Sequence, residues 1–138
     1  MVRLTRQYKF AASHRLHSDS LDEETNQRIY GKCNNPYGHG HDYVLQVRAA
    51  GAVDEETGLL LNLERLDGLV KDNVLSKVRD RNLNDLAMFE RLVPTTENLA
   101  SEIERRLREA WPADWPALEG VRIQETRRNI FETKGMRR

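Results

Sequence analysis

Two long stretches of alternating apolar residues constrain this chain more than anything else in it. Val2, Leu4, Tyr8, Phe10 and Ala12 share one parity, interrupted only by Arg6, and His14 continues it. His39, His41, Tyr43, Leu45, Val47 and Ala49 share a parity in the same way. A period of two is the mark of a strand with one buried face. The chain is therefore expected to contain two long strands, Val2 to His14 and His39 to Ala50. Leu59-Leu60-Leu61 reads as a short returning strand after the connection Gly51 to Gly58.

The period then changes. Leu63, Leu66, Leu69, Val70, Val74 and Val78 recur at helical spacing, so a helix is expected from Asn62 to Val78 with Asn62 as N-cap. Leu99, Ile103, Leu107, Ala110 and Trp111 form the stripe of a second helix from Thr96 to Trp111. Pro94-Thr95-Thr96 starts it and Pro112 stops it. A strand at Val121 to Thr126 and a further one at Asn129 to Thr133 close the chain. Antiparallel strands with two helices grouped in the middle indicate an α+β fold in one domain, residues 1–138.

Charge and cysteine content exclude several function classes. Lys plus Arg and Asp plus Glu both number 22, so the net charge is zero, and bulk attraction to nucleic acid or membrane is not expected. There is no apolar run of membrane-spanning length, and the first residues lack the apolar core of a signal peptide. The single cysteine, Cys33, excludes an intrachain disulfide and suits a reducing cytoplasm. With only 38% hydrophobic residues the core is lean, so apolar surface is expected to be buried between subunits.

The four histidines carry the chemistry. His39 and His41 are two apart, so a strand puts both imidazoles on one face, and His14 ends the other long strand with its parity inward. An H-x-H pair by itself is more often structural than ligating. Three inward histidines in a chain with four are more specific, and they fit Zn²⁺ of the catalytic type, with one position left open. His17 lies in a polar stretch and reads as surface. Cys33, six residues before His39, is open to three readings: a fourth ligand, a buried small hydrophobe or a reactive thiolate. Lys32 and a nearby Zn²⁺ would both favour the thiolate.

These residues resemble the 6-pyruvoyl-tetrahydropterin synthase family. The resemblance is carried by Phe10-Ala11-Ala12-Ser13-His14-Arg15-Leu16 and, most specifically, by the run from Gly31-Lys32-Cys33 through Gly38-His39-Gly40-His41-Asp42-Tyr43. Thr57 to Leu63, Pro94 to Ala100 and Val121 to Thr126 support it by order and spacing. The gap between the cysteine and the paired histidines is longer than in the related 6-carboxytetrahydropterin synthases and favours the pyruvoyl branch. The resemblance implies a tunnelling fold: a four-stranded antiparallel sheet with two helices on one face, assembled through a barrel into a homohexamer with active sites between subunits.

It also implies a carbon–oxygen lyase acting on 7,8-dihydroneopterin triphosphate, releasing triphosphate and giving 6-pyruvoyl-tetrahydropterin. Zinc would sit on His14, His39 and His41, with Cys33 moving protons and Glu125 holding the pterin ring. Thr96 and Glu97 match positions near the pterin pocket, and Arg15 and Lys32 would meet the triphosphate. One departure stands out. In Arg79-Asp80-Arg81-Asn82-Leu83-Asn84, Asp80 matches the family's aspartate, but Arg81 stands where the family has its catalytic histidine. Arginine stays protonated and is a poor proton shuttle. That leaves three readings: the family reaction, a related one of the 6-carboxytetrahydropterin synthase type in deazapurine biosynthesis, or pterin binding with weak turnover.

Overall fold

The two alternating stretches pair with each other along their whole length. In the computed structural model, which describes residues 1–134, β1 (Val2–His14) and β2 (His39–Gly51) form an antiparallel ladder running from Val2 opposite Gly51 to His14 opposite His39. The last four residues of the expected domain lie outside the described ones. The register puts the inward parity of both strands on one face, where Phe10, Ala12, Tyr43, Leu45, Val47 and Ala49 are buried.

Helices cover that face. Helix α2 (Leu63–Val70) starts at Asn62, whose side chain accepts from the Arg65 N–H. It runs on through a π turn at Lys71–Leu75 into α3 (Ser76–Val78), so the expected helix to Val78 forms with one widened turn. Helix α4 (Thr96–Ala110) is capped by Thr95, which accepts from the Asn98 N–H. Leu66, Val70, Val74, Leu99, Ile103 and Leu107 fill the space between helices and sheet. Each fully buried aliphatic side chain of this kind is worth about 1.5–3 kcal/mol against exposure. Arg6, the break in the β1 pattern, is explained here: its guanidinium makes a paired contact with the Asp67 carboxylate on α2, at 2.8 and 3.1 Å, and the Tyr8 hydroxyl donates to the same group at 2.7 Å.

The sheet differs from the expected four antiparallel strands. Among the described residues it has five strands and is mixed, with one short strand outside β1 and two strands outside β2. β3 (Arg81–Asn82) is two residues long and runs parallel to β1 at Ala12 and Ser13. β4 (Ala117–Gln124) begins before Val121, because a bulge at Arg48/Ala49 resets its parity: Leu118 opposes Ala49, and Val121 opposes Val47. β5 (Ile130–Glu132) pairs with β4. Leu59-Leu60-Leu61 forms no strand; it is a bent connection into α2, in which Leu61 joins the core and Leu59 stays exposed.

One helix was not legible from periodicity. α1 (Glu23–Tyr30) is polar on nearly every side, and its start comes from Asp22, which accepts from the Thr25 N–H at 2.7 Å. The 3-10 turn Gly31–Asn34 follows it directly and carries Cys33.

Candidate metal centre and cleft

The hairpin register builds the histidine cluster. His14 stands directly opposite His39, and Ala12 opposite His41, so the three imidazoles leave the same face at the same end of the sheet. Their candidate ligand atoms all lie within 4.8 Å of one another. His14 is 1% exposed. Its Nδ1 is 2.9 Å from the Pro94 carbonyl oxygen, which can only accept, so Nδ1 carries the proton and Nε2 presents its lone pair. The Nε2 atoms of His14, His39 and His41 are all buried without a hydrogen-bond partner. Three orphaned imidazole nitrogens converging on one point are costly unless something fills the space between them. Burial, above all, holds His14 and His41 below the ordinary histidine range, which keeps them neutral and ready to ligate. This donor set fits Zn²⁺ or a similar divalent ion, and the backbone carbonyl on His14 is the outer support such ligands use.

Cys33 is brought beside this cluster by a staple between two loops. Leu16 N–H donates to the Cys33 carbonyl at 2.7 Å, and Arg15 Nε donates to the Asn34 carbonyl at 3.1 Å. The buried Asn34 side chain donates to the Leu16 carbonyl at 2.8 Å and meets His17 Nδ1 at 3.1 Å. His17 is thus half-buried structure, not free surface. Asn26, on α1 and fully buried, ties the intervening loop by bonds to Ser18, Leu21 and Asp22. Burial first, then the Glu125 charge, push the Cys33 thiol upward, opposing the lowering expected from Lys32 and a bound Zn²⁺.

A cleft of about 870 Å³ opens over these residues. Cys33, Lys32, His39, His41 and Glu125 line it together. Glu125 follows the end of β4, held by its own N–H donating to the Asn129 carbonyl at 3.0 Å. Its Oε1 accepts from the Thr96 hydroxyl at 2.8 Å. Thr96 is buried, at 2% exposure, so it acts on the cleft through Glu125. The other sequence candidates lie elsewhere. Glu97 is exposed on α4 and faces a separate groove beside β5. Arg15 lines another recess with His17 and Pro94. Asp80 and Arg81 line a groove of about 440 Å³ along β1 and β3 that shares only His41 with the Cys33 cleft. Asp80 holds a left-handed φ of 58°, and its N–H donates to the Ala11 carbonyl at 2.7 Å.

Gln27, Thr126 and Asn129 also line the main cleft and were missed from the sequence. Gln27 sits on the polar helix α1, whose only sequence signal was the Asp22 cap. Asn129 enters through the β4–β5 turn, which no periodicity marks.

Comparison with known proteins gives concordant findings. The family model described as 6-pyruvoyl tetrahydropterin synthase matches residues 3–136. The chain is 42% identical over 133 residues to the 6-pyruvoyl tetrahydrobiopterin synthase of Poecilia reticulata, covering 96% of this chain and 89% of that one. It is 38% identical over 135 residues to the protein of the same name from Homo sapiens, covering 97% and 92%. The solved structure of Caenorhabditis elegans 6-pyruvoyl tetrahydropterin synthase superposes with a TM-score of 0.91 at 39% identity, covering 98% of this chain and 96% of that one.

Proposed function

Because this chain belongs to the 6-pyruvoyl tetrahydropterin synthase family, we propose that it is a zinc-dependent pterin lyase of the carbon–oxygen type, converting 7,8-dihydroneopterin triphosphate to 6-pyruvoyl-tetrahydropterin with loss of triphosphate. The observation that carries this reading is the convergence of three unpartnered imidazole nitrogens beside a cleft that also holds a thiol and a carboxylate. His14, His39 and His41 would hold the ion. Bound there, zinc supplies Lewis acidity to the hydroxyls of the substrate side chain.

The remaining work falls to the chain's own groups. Glu125 accepts two parallel N–H donors from the edge of the pterin ring, a planar match that fixes the ring's orientation. Thr96 holds that carboxylate in place. Cys33, on the wall of the same cleft, takes and returns protons at the side-chain carbons; its thiol needs the charge of a nearby cation to offset burial and Glu125. Lys32, exposed at the cleft rim, meets the triphosphate, with Arg15 a more distant cation. Asp80 serves the proton path from another copy of the chain, and Arg81 beside it supplies a fixed positive charge. Their placement in a different groove from Cys33 supports assembly into a hexamer of two trimers, with active sites between subunits. No described helix is long and apolar enough to cross a membrane, which accords with an enzyme of the cytoplasm.

The test is direct. Zinc-loaded protein is mixed with 7,8-dihydroneopterin triphosphate, triphosphate release is followed, and the pterin product is identified by mass spectrometry. 6-Pyruvoyl-tetrahydropterin is expected. Carboxytetrahydropterin with acetaldehyde would reject the pyruvoyl assignment, and tight pterin binding without release would make the protein a binder.

A further inference from the structure

Glu125 approaches the imidazole cluster more closely than ring recognition requires. Its Oε1 lies 3.6 Å from His41 Nε2 and 3.7 Å from His14 Nε2. Neither contact is a hydrogen bond. A carboxylate placed to neutralise a protonated imidazole would close to about 2.7–2.9 Å. Atoms that share one tetrahedral ion are spaced differently. With bonds of about 2.0–2.2 Å, neighbouring ligands stand roughly 3.3–3.5 Å apart. The two Glu125 spacings are within a few tenths of an ångström of that edge.

The surroundings agree. The oxygen that faces the imidazoles is the same one that accepts from Thr96 at 2.8 Å, and Thr96 is itself buried. Ligating carboxylates are held by such outer hydrogen bonds. Glu125 is only 13% exposed, and no Lys or Arg forms an ion pair with it among the described residues. A nearly buried carboxylate without a basic partner needs a cation.

We propose that Glu125 Oε1 is the fourth ligand of the metal in the substrate-free protein, and that an arriving pterin draws the carboxylate off the ion. This rests on the metal-binding part of the reading above and not on the reaction. Recognition of the pterin edge uses both carboxylate oxygens; Oε1 has two lone-pair sites and Thr96 takes one, so the ion and the ring compete for the other. Glu125 therefore serves one role at a time. While it serves the ion, the open coordination position is guarded. When it turns to the ring, that position becomes available to the substrate's side chain in the same event.

The test needs no turnover. Metal-free wild type, Glu125→Ala, Glu125→Gln and Thr96→Val are titrated with Co²⁺ against a chromophoric chelator, and the visible cobalt spectrum of each is recorded. Glu125→Ala is expected to bind at least about tenfold more weakly, with an altered spectrum, and Thr96→Val several-fold more weakly. Glu125→Gln keeps the side-chain volume, so it covers the case in which alanine unsettles the turn; it is expected to fall between wild type and Glu125→Ala. A pterin without a hydroxylated side chain, its binding followed by its own fluorescence, is expected to shift the wild-type cobalt spectrum.

Unchanged affinity in both Glu125 variants overturns the assignment. Weaker affinity with an unchanged spectrum also overturns it, because the charge then acts without reaching the ion. Bound pterin that leaves the wild-type spectrum unmoved overturns the exchange. Wild type that binds no Co²⁺ overturns the metal centre itself, and with it this inference.

Discussion

Replacing Gly38 with alanine tests how the hairpin end holds the histidines in register. Gly38 has φ +68°, and a Cβ there would stand 2.8 Å from the His14 carbonyl oxygen and 3.2 Å from its carbon. Gly58 has nearly the same backbone, φ +73°, with nothing within 4 Å of its Cβ position. The pair separates conformational cost from contact. A left-handed alanine costs about 1–2 kcal/mol, and about 0.4–1 kcal/mol of that is recovered because the unfolded chain is less free. Gly58→Ala is therefore expected to lose between about 0 and about 1.6 kcal/mol. Gly38→Ala meets a backbone carbonyl that has no rotamer to escape into. Overpacking of that kind adds about 1–3 kcal/mol, for a total of about 1–5 kcal/mol. The relief available to Gly38 is to move away from His14, which pulls the adjacent His39 from its place opposite His14. Urea denaturation with a chelator present measures the stability loss, and a cobalt titration measures the site. Gly38→Ala should lose both stability and metal affinity, and Gly58→Ala should keep wild-type affinity. Equal losses in the two variants would refute the claim that the close approach at Gly38 sets the geometry of the metal centre.

Cys33→Ala is expected to abolish triphosphate release while leaving the metal bound, as read by metal analysis of the purified variant; loss of the metal would make Cys33 a ligand. Arg81 is exposed, so Arg81→His should leave stability unchanged. The substitution should raise the rate of triphosphate release, and an unchanged or lower rate would place Arg81 in a different mechanism. The Arg6 contact, above all, holds the Asp67 carboxyl below the usual aspartate range. A depressed folded-state value means that the unfolded chain binds the proton more readily. The associated stability is therefore present above the unfolded value of about 3.9 and is lost as pH falls through the lower folded one. Asp67→Asn should thus be less stable than wild type at pH 7, with the gap narrowing in denaturant titrations as pH falls below the unfolded value of about 3.9.

Much of the site was legible because its residues lie on regular elements. Parity alone put His14, His39 and His41 on one face, and the helical stripes at Leu63–Val78 and Leu99–Trp111 marked the layer that covers it. Glu125 has the parity of Val121 and Ile123, but only the family resemblance gave it a role. The elements that were missed or misread lack a period. α1 is polar on nearly every side, β3 is two residues long, and Leu59–Leu61 is apolar but too short to declare a strand. The bulge that starts β4 early depends on its partner, so no reading of β4 alone could find it.

The order of residues along the chain thus determined which faces are apolar, which side chains can ligate and which family the chain resembles. Each of these is a local property of spacing and residue type. Tertiary structure decided what stands beside what. Asn34, Arg15 and Leu16 carry Cys33 to the imidazoles through hydrogen bonds between loops, and Thr96 on one helix aims a carboxylate that follows a strand. Contacts of that kind join residues far apart in the chain, and such partners leave no periodic trace in the sequence.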